Sequence, residues 1–159
     1  MLNAFRMFGL LKGERVGVKS TGALEVGEVL QSSVKTTADV NAIATQESHR
    51  VNVLVWSYHD DSDYSVPAAI RLRIEGLPQG LSKVLLEHWA VDSSHSNAYI
   101  VWRTMGSPQN PSSAAYEHLK AAGQLQLSES PRSVVVDGNA VEITFTQPTQ
   151  GLSLLDLIW

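Results

Sequence analysis

Two spacings of apolar residues organise this chain. Between residues 2 and 11, Leu2, Phe5, Phe8 and Leu11 recur every three positions, with Ala4, Met7 and Leu10 among them. This spacing predicts one stripe of a short helix. An apolar stripe needs cover, which makes Phe5, Met7, Phe8 and Leu11 the candidate interface residues. From Val16 and Val18 onward the period falls to two, in short segments punctuated by Gly, Ser, Asn, Asp or Pro.

The period-two segments differ in how many faces they bury. At 51–58, Val51, Val53 and Val55 alternate with Leu54, Trp56 and Tyr58, so both faces are apolar and a central strand is predicted. At 69–75, Ile70, Leu72 and Ile74 alternate with Arg71, Arg73 and Glu75, which predicts a strand with one solvated face. Residues 83–91 and 152–159 read as further strands. Val134 and Val136 meet Val141, Ile143 and Phe145 across Asp137-Gly138-Asn139, a hairpin signal.

One helix interrupts the strands. Asn110 and Pro111 suit its start, Ala115, Tyr116, Leu119 and Ala122 its stripe, and Gly123 its end. The expected fold is all-β: a sandwich of about eight mostly antiparallel strands. A short N-terminal helix precedes it, and one or two short helices lie between residues 97 and 123.

Composition narrows the function. With 159 residues, the chain is too short for a (β/α)₈ barrel, which takes about 250 residues. No apolar run approaches the ~20 residues of a membrane span. The start, MLNAFRMFGLLKGER, lacks a basic n-region and a small-residue cleavage site, so the expected location is cytoplasmic and no membrane partner is expected. Zero cysteines exclude disulfides and thiolate metal sites. Net charge is −4, although residues 1–20 set Arg6, Lys12, Arg15 and Lys19 against Glu14 alone. Without a basic face interleaved with aromatics, no nucleic-acid partner is expected.

Candidate chemistry is sparse. His59, Asp60, Asp61 and Asp63 form the densest titratable cluster, but neighbours on an extended strand point to opposite faces. Asp60 and Asp61 therefore do not converge as a glycosidase pair would. A calcium loop counted from Asp61 fails, because Val66 and Leu72 stand where Gly and Glu are needed. His49, His88 and His118 lie alone and read as structural; no metal or cofactor is expected. His95, Asn97, Tyr99, Trp102 and Arg103 combine aromatic faces with hydrogen-bonding groups, as sugar binding requires. The bland reading is a loop tied down by its own polar groups, with Trp102 plugging the sandwich. The catalytic set is empty: no serine-nucleophile elbow, phosphate loop or dinucleotide fingerprint occurs.

Taken as a set, NAFRMFGLLKGERV (3–16), VLVWSYHDD (53–61), LRIEGLP (72–78), HSNAYIVWRTMGSPQNP (95–111), AAGQLQLSESPR (121–132) and GLSLLDLIW (151–159) resemble the C-terminal region of glycoside hydrolase family 39. This family comprises the β-xylosidases and, more distantly, the α-L-iduronidases. The resemblance implies a β-sandwich that follows a catalytic (β/α)₈ barrel, whose two glutamates have no counterpart here. It implies a segment 1–14 leaving the barrel and one sandwich domain at 15–159. The chain would then be a truncated product, a fragment or a free-standing remnant. The function implied is accessory, in an enzyme acting on xylo-oligosaccharides: support of the barrel and oligomerisation rather than catalysis. Expected partners are a catalytic barrel in cis or in trans, a second copy, and a xylo-oligosaccharide. His59, Asp60, His95, Asn97, Tyr99, Trp102 and Arg103 are the candidate active-site rim or sugar contacts. The alternative is a free-standing carbohydrate-binding sandwich that stacks sugars on Trp56, Trp89, Trp102 and Tyr99.

Overall fold

The computed structural model describes residues 2–159 and is a β-sandwich of two unequal sheets. In chain order the elements are α1 (Leu2–Leu10), β1 (Glu14–Val16), α2 (Val26–Ser32), β2 (Asp39–Glu47), β3 (Arg50–Tyr58), β4 (Ala68–Glu75), β5 (Lys83–Val91), α3 (Ala98–Thr104), α4 (Ser113–Ala122), β6 (Gln126–Leu127), β7 (Arg132–Val135), β8 (Ala140–Gln147) and β9 (Gly151–Ile158). One sheet has seven strands in the order β1-β2-β3-β9-β5-β6, with β7 pairing β5 beside β6. The other is the pair β4-β8. All the strand pairings are antiparallel.

The strands bury what their sequences dictate. β3 lies between β2 and β9, and both its apolar faces are used. Val51, Val53 and Val55 join the core between the sheets with Val84, Leu86, Leu155 and Leu157. Leu54 turns to the opposite face, with Leu154. In β4, Ile70, Leu72 and Ile74 point inward, while Arg71, Arg73 and Glu75 meet solvent.

Helix α1 covers the opposite face of the large sheet. Met7, at 0% exposure, packs with Leu54 and Leu154. The line in contact is Asn3, Met7 and Leu11, spaced four apart, and not the three-spaced line the apolar pattern suggested. At about 100° per residue, a four-residue step returns to within about 40° of its starting direction and a three-residue step only to within about 60°, so the four-spaced line stays nearer one face. Gly13, at φ 78, follows the helix: a Cβ there would stand 2.0 Å from the Gln46 carbonyl oxygen, so only glycine lets the chain press onto β2.

Three local expectations need correction. The 137–140 turn closes, with the Asp137 and Ala140 amides each donating to the other's carbonyl, yet its arms do not pair as a hairpin. β7 joins β5 and β8 joins β4, so the turn carries the chain from one sheet to the other. The α4 cap is Ser112, whose hydroxyl accepts from the Ala115 amide, and not Asn110. Finally, α2 and β2 are elements beyond those expected from the apolar pattern. α2 buries no side chain, and β2 alternates in small residues such as Ala42 and Ala44.

Candidate functional site

The face beneath α1 carries an apolar row with an open end. Ile43, Leu54, Leu154 and Trp89 lie across neighbouring strands in register and share one cluster with Met7. Toward the Asp39–Tyr58 end the cover stops, leaving a cavity of about 420 Å³ lined by Phe8, Asp39, Leu54, Trp56, Tyr58 and Leu152 among others. The Trp56 indole N–H donates to Asp39 Oδ2 at 3.0 Å, and Asp39 Oδ1 accepts from the Leu24 amide at 2.9 Å. Both carboxylate oxygens are therefore committed to holding the rim. Phe8, which lines it, is 51% exposed, and Phe5, one turn earlier on α1, is 70% exposed.

Below the apolar row runs a polar one. Thr45, Asn52, Asp156 and Glu87 stand opposite one another on β2, β3, β9 and β5, and the first three are buried. Arg50 Nε approaches Asp156 Oδ1 to 3.1 Å as an ion pair without hydrogen-bond alignment. Burial raises the Asp156 pKa; Arg50 opposes this and Glu87 adds to it.

The segment from Asp92 to Asn97 is a hydrogen-bonded knot. Asp92 Oδ1 accepts from the amides of Ser94 and His95, and His95 Nδ1 lies 3.0 Å from both carboxylate oxygens. Burial pushes the Asp92 pKa up, but these hydrogen bonds and the His95 charge together hold it below its ordinary value. Asn97 donates to the Asp92 carbonyl and caps α3 at the Ile100 amide. The Ser96 hydroxyl donates to the Ala90 carbonyl and accepts from the Gln126 amide. Helix α1 is tied in: Asn3 Nδ2 donates to the carbonyls of Ser96 and Gly123, and Arg6 also donates to Gly123.

The candidate rim residues thus fall into two separate groups. His95 and Asn97 hold the knot, and Tyr99 and Arg103 are exposed on α3, with the Arg103 guanidinium 6.0 Å from the Tyr99 ring centre. Trp102 does not plug the sandwich. It lies outside both core clusters, and its indole N–H donates to the Pro108 carbonyl at 3.0 Å. At the end of β3, His59 is buried, stacked on Tyr64 at 3.9 Å, and accepts at Nδ1 from the Asp61 amide. Asp60 clasps Val34 through two bonds, Oδ2 to its amide and the Asp60 amide to its carbonyl. Asp60 also raises the Tyr58 pKa, by hydrogen bonding and then by charge. Asp61 Oδ1 is used by the Asp63 amide.

Of the four candidate interface residues, Phe5 and Phe8 face solvent, whereas Met7 and Leu11 pack on the sheet. Met7, fully buried, can meet a partner only through the helix it holds. Asn3, Arg6, Ser96 and Gln126 belong to the site, and the apolar pattern did not single them out. Among the described residues no three His, Asp or Glu side chains gather to hold a metal, and no helix is long and apolar enough to cross a membrane.

Fold and site define a β-sandwich that presents a helix-clad, aromatic-rimmed face. The family model for glycosyl hydrolases family 39 matches residues 1–141, and the chain belongs to that family. It is similar to the α-L-iduronidase of Mus musculus, at 26% identity over 142 residues, covering 83% of this chain and 21% of that protein. It shares its fold with a GH39 enzyme from Xanthomonas axonopodis pv. citri, at TM-score 0.75 and 18% identity over 98% of this chain and 29% of the other. A monomeric β-xylosidase from Caulobacter crescentus CB15 gives TM-score 0.73 at 14% identity, over 98% and 30%. The chain thus spans about a fifth of the curated relative and under a third of these structures.

Proposed function

We propose that this chain is the accessory β-sandwich of a family 39 glycosidase acting on xylo-oligosaccharides, and that it supports a catalytic barrel without itself cleaving a glycosidic bond. The observation that carries the reading is the α1 face. An exposed strip formed by Phe5 and Phe8 continues into the cavity rimmed by Trp56 and Tyr58. Contiguous apolar surface of this kind marks a docking site.

The densest carboxylates of the chain serve the fold instead. Asp60 clasps Val34 and Asp61 closes a turn on Asp63, so each has a local structural role at the end of β3. The exposed pair Tyr99 and Arg103 is the part of the 95–103 segment that can contribute to an active-site rim. Without a barrel, the Phe5 and Phe8 strip takes cover against a second copy. The xylose preference rests on the motif resemblance; the iduronidase relative marks the other substrate class to compare.

A free-standing carbohydrate-binding module has one observation in its favour, the aromatic lining of the same cavity by Trp56 and Tyr58. Trp89 packs in the cluster beneath α1, which takes it out of the set of stacking platforms.

The test is turnover of an aryl β-xyloside by the purified chain of verified mass. Phenol release no faster than the buffer control is the expected result. Turnover abolished by Asp60→Asn or Asp61→Asn would overturn the proposal, and saturable quenching of Trp56 fluorescence by xylohexaose would favour the binding module.

A further inference from the structure

The polar row beneath the α1 face is buried without being satisfied. Among the described residues, four of its side-chain atoms have no hydrogen-bond partner: the Thr45 hydroxyl, Oδ1 and Nδ2 of Asn52, and Asp156 Oδ1. Asn52 is 1% exposed, and Thr45 and Asp156 are 8% exposed. Native interiors pair nearly all such groups, so four in one row call for a partner that the chain itself does not supply.

Register brings the three residues together. Thr45 stands opposite Asn52 across β2 and β3, and Asn52 opposite Asp156 across β3 and β9. Directly opposed side chains on one face of a sheet have Cβ atoms about 5 Å apart. Asn52 and Asp156 each lie two positions from Leu54 and Leu154, which pack under Met7 of α1, so the row shares the face that the helix covers.

Whatever joins these atoms has to give hydrogen bonds as well as take them. Asn52 Nδ2 only donates, Asn52 Oδ1 and an ionised Asp156 only accept, and the Thr45 hydroxyl does either. A metal ion would answer the oxygens and leave Nδ2 unpaired. The Arg50 guanidinium, 3.1 Å from Asp156 Oδ1, already supplies positive charge there. An anion would answer Nδ2 but meet Asp156 and, opposite it on β5, Glu87. Water both donates and accepts, and internal waters sit where buried polar groups lack other partners.

We infer that the Thr45–Asn52–Asp156 row binds internal water, one molecule on each side of Asn52. The first accepts from Asn52 Nδ2 and donates to Asp156 Oδ1. The second links Asn52 Oδ1 to the Thr45 hydroxyl. Bridged in this way, the row ties β2, β3 and β9 together across the large sheet. It also marks their register, because a slip of one residue would turn these polar groups into the apolar core between the sheets. The site is independent of the accessory-domain reading.

Water-selective NOE and ROE spectra of the ¹⁵N-labelled full chain test this. Both Asn52 side-chain amide protons should show cross-peaks to water with opposite signs in the two spectra, the signature of a molecule held inside the protein. The amide of Asn139, exposed in the 137–140 turn, should show none of that kind. Thr45→Val removes the one exchanging hydroxyl of the row, and the Asn52 cross-peaks should persist in it through the water beside Asp156. A crystal structure of the full chain should show both waters within hydrogen-bonding distance of Asn52. Loss of the cross-peaks in Thr45→Val would trace them to the hydroxyl and overturn the inference. So would a crystal structure in which the Asn52 amide bonds Asp156 and Thr45 directly. A melting temperature that calcium chloride raises in the parent chain but not in Asn52→Leu would assign the row to a cation, and would overturn it as well.

Discussion

Asn3 and Ser96 are 93 positions apart in sequence, yet the Asn3 side-chain amide donates a buried 2.7 Å hydrogen bond to the Ser96 carbonyl. This bond fixes the N-terminal helix to the turn that follows β5, and Asn3 and Arg6 extend the tie to the end of α4 through the Gly123 carbonyl. Asn3→Ala leaves a buried carbonyl short of a donor, so it should cost about 1–3 kcal/mol in urea unfolding. Amide exchange in α1 should quicken with it. An unchanged midpoint would mean that α1 is held by its apolar contacts alone.

Met7 and Phe5 separate internal from external function on one helix. Met7→Ala opens a cavity against Leu54 and Leu154 and should cost about 2–5 kcal/mol. Phe5→Ala, at a site 70% exposed, should stay within about 0.5 kcal/mol in the monomer. The reverse ranking in denaturant titrations would mean that the helix docks through its other face.

The pH dependence of stability has two windows. Burial lowers the His88 pKa, with the charge of Glu129 opposing, and its ring is held 2.9 Å from the Ser153 hydroxyl. The unfolded chain therefore binds a proton first as pH falls, and stability drops from the ordinary histidine range, about 6.5, downward. The slope contributed by this one group is at most about 1.4 kcal/mol per pH unit. Asp92 is held below its ordinary value in the folded state, so its contribution is lost only at more acid pH, as its folded form is protonated. His88→Gln should flatten the first window in guanidinium titrations between pH 5 and 7.5 and leave the acid one.

Asp156 behaves in the opposite sense. Its pKa is raised by burial, so the folded state holds the proton more tightly and stability declines as pH rises through the carboxylate range. Asp156→Asn should melt at or above the wild-type temperature at pH 7, with the advantage vanishing near pH 3. A clear loss at pH 7 would show that the Arg50 ion pair outweighs the burial.

Much of the sandwich was legible because single strands advertise their surroundings. β3 reads as central from Val53, Leu54, Val55 and Trp56, and β4 as one-sided from Ile70, Arg71, Leu72 and Arg73. Pairing was less legible, because it is not a local property. The 137–140 turn is visible in Asp137-Gly138-Asn139, but nothing near it says that β7 must join β5 and β8 join β4. β2 is not legible in the sequence because Ala42 and Ala44 bury too little side chain to mark a period. At the site, the aromatic residues of the 95–103 segment were evident, whereas the tie between Asn3 and Ser96 was not, since a polar residue in a helix shows its burial only through a partner far along the chain.

The central claim, that the α1 face is a docking surface, is tested most directly by sedimentation velocity of the chain from about 10 μM to 1 mM. The account predicts association that grows with concentration and that Phe5→Asp with Phe8→Asp abolishes while the melting temperature of the monomer is kept. A chain that stays monomeric throughout and sediments identically with and without these substitutions would contradict it.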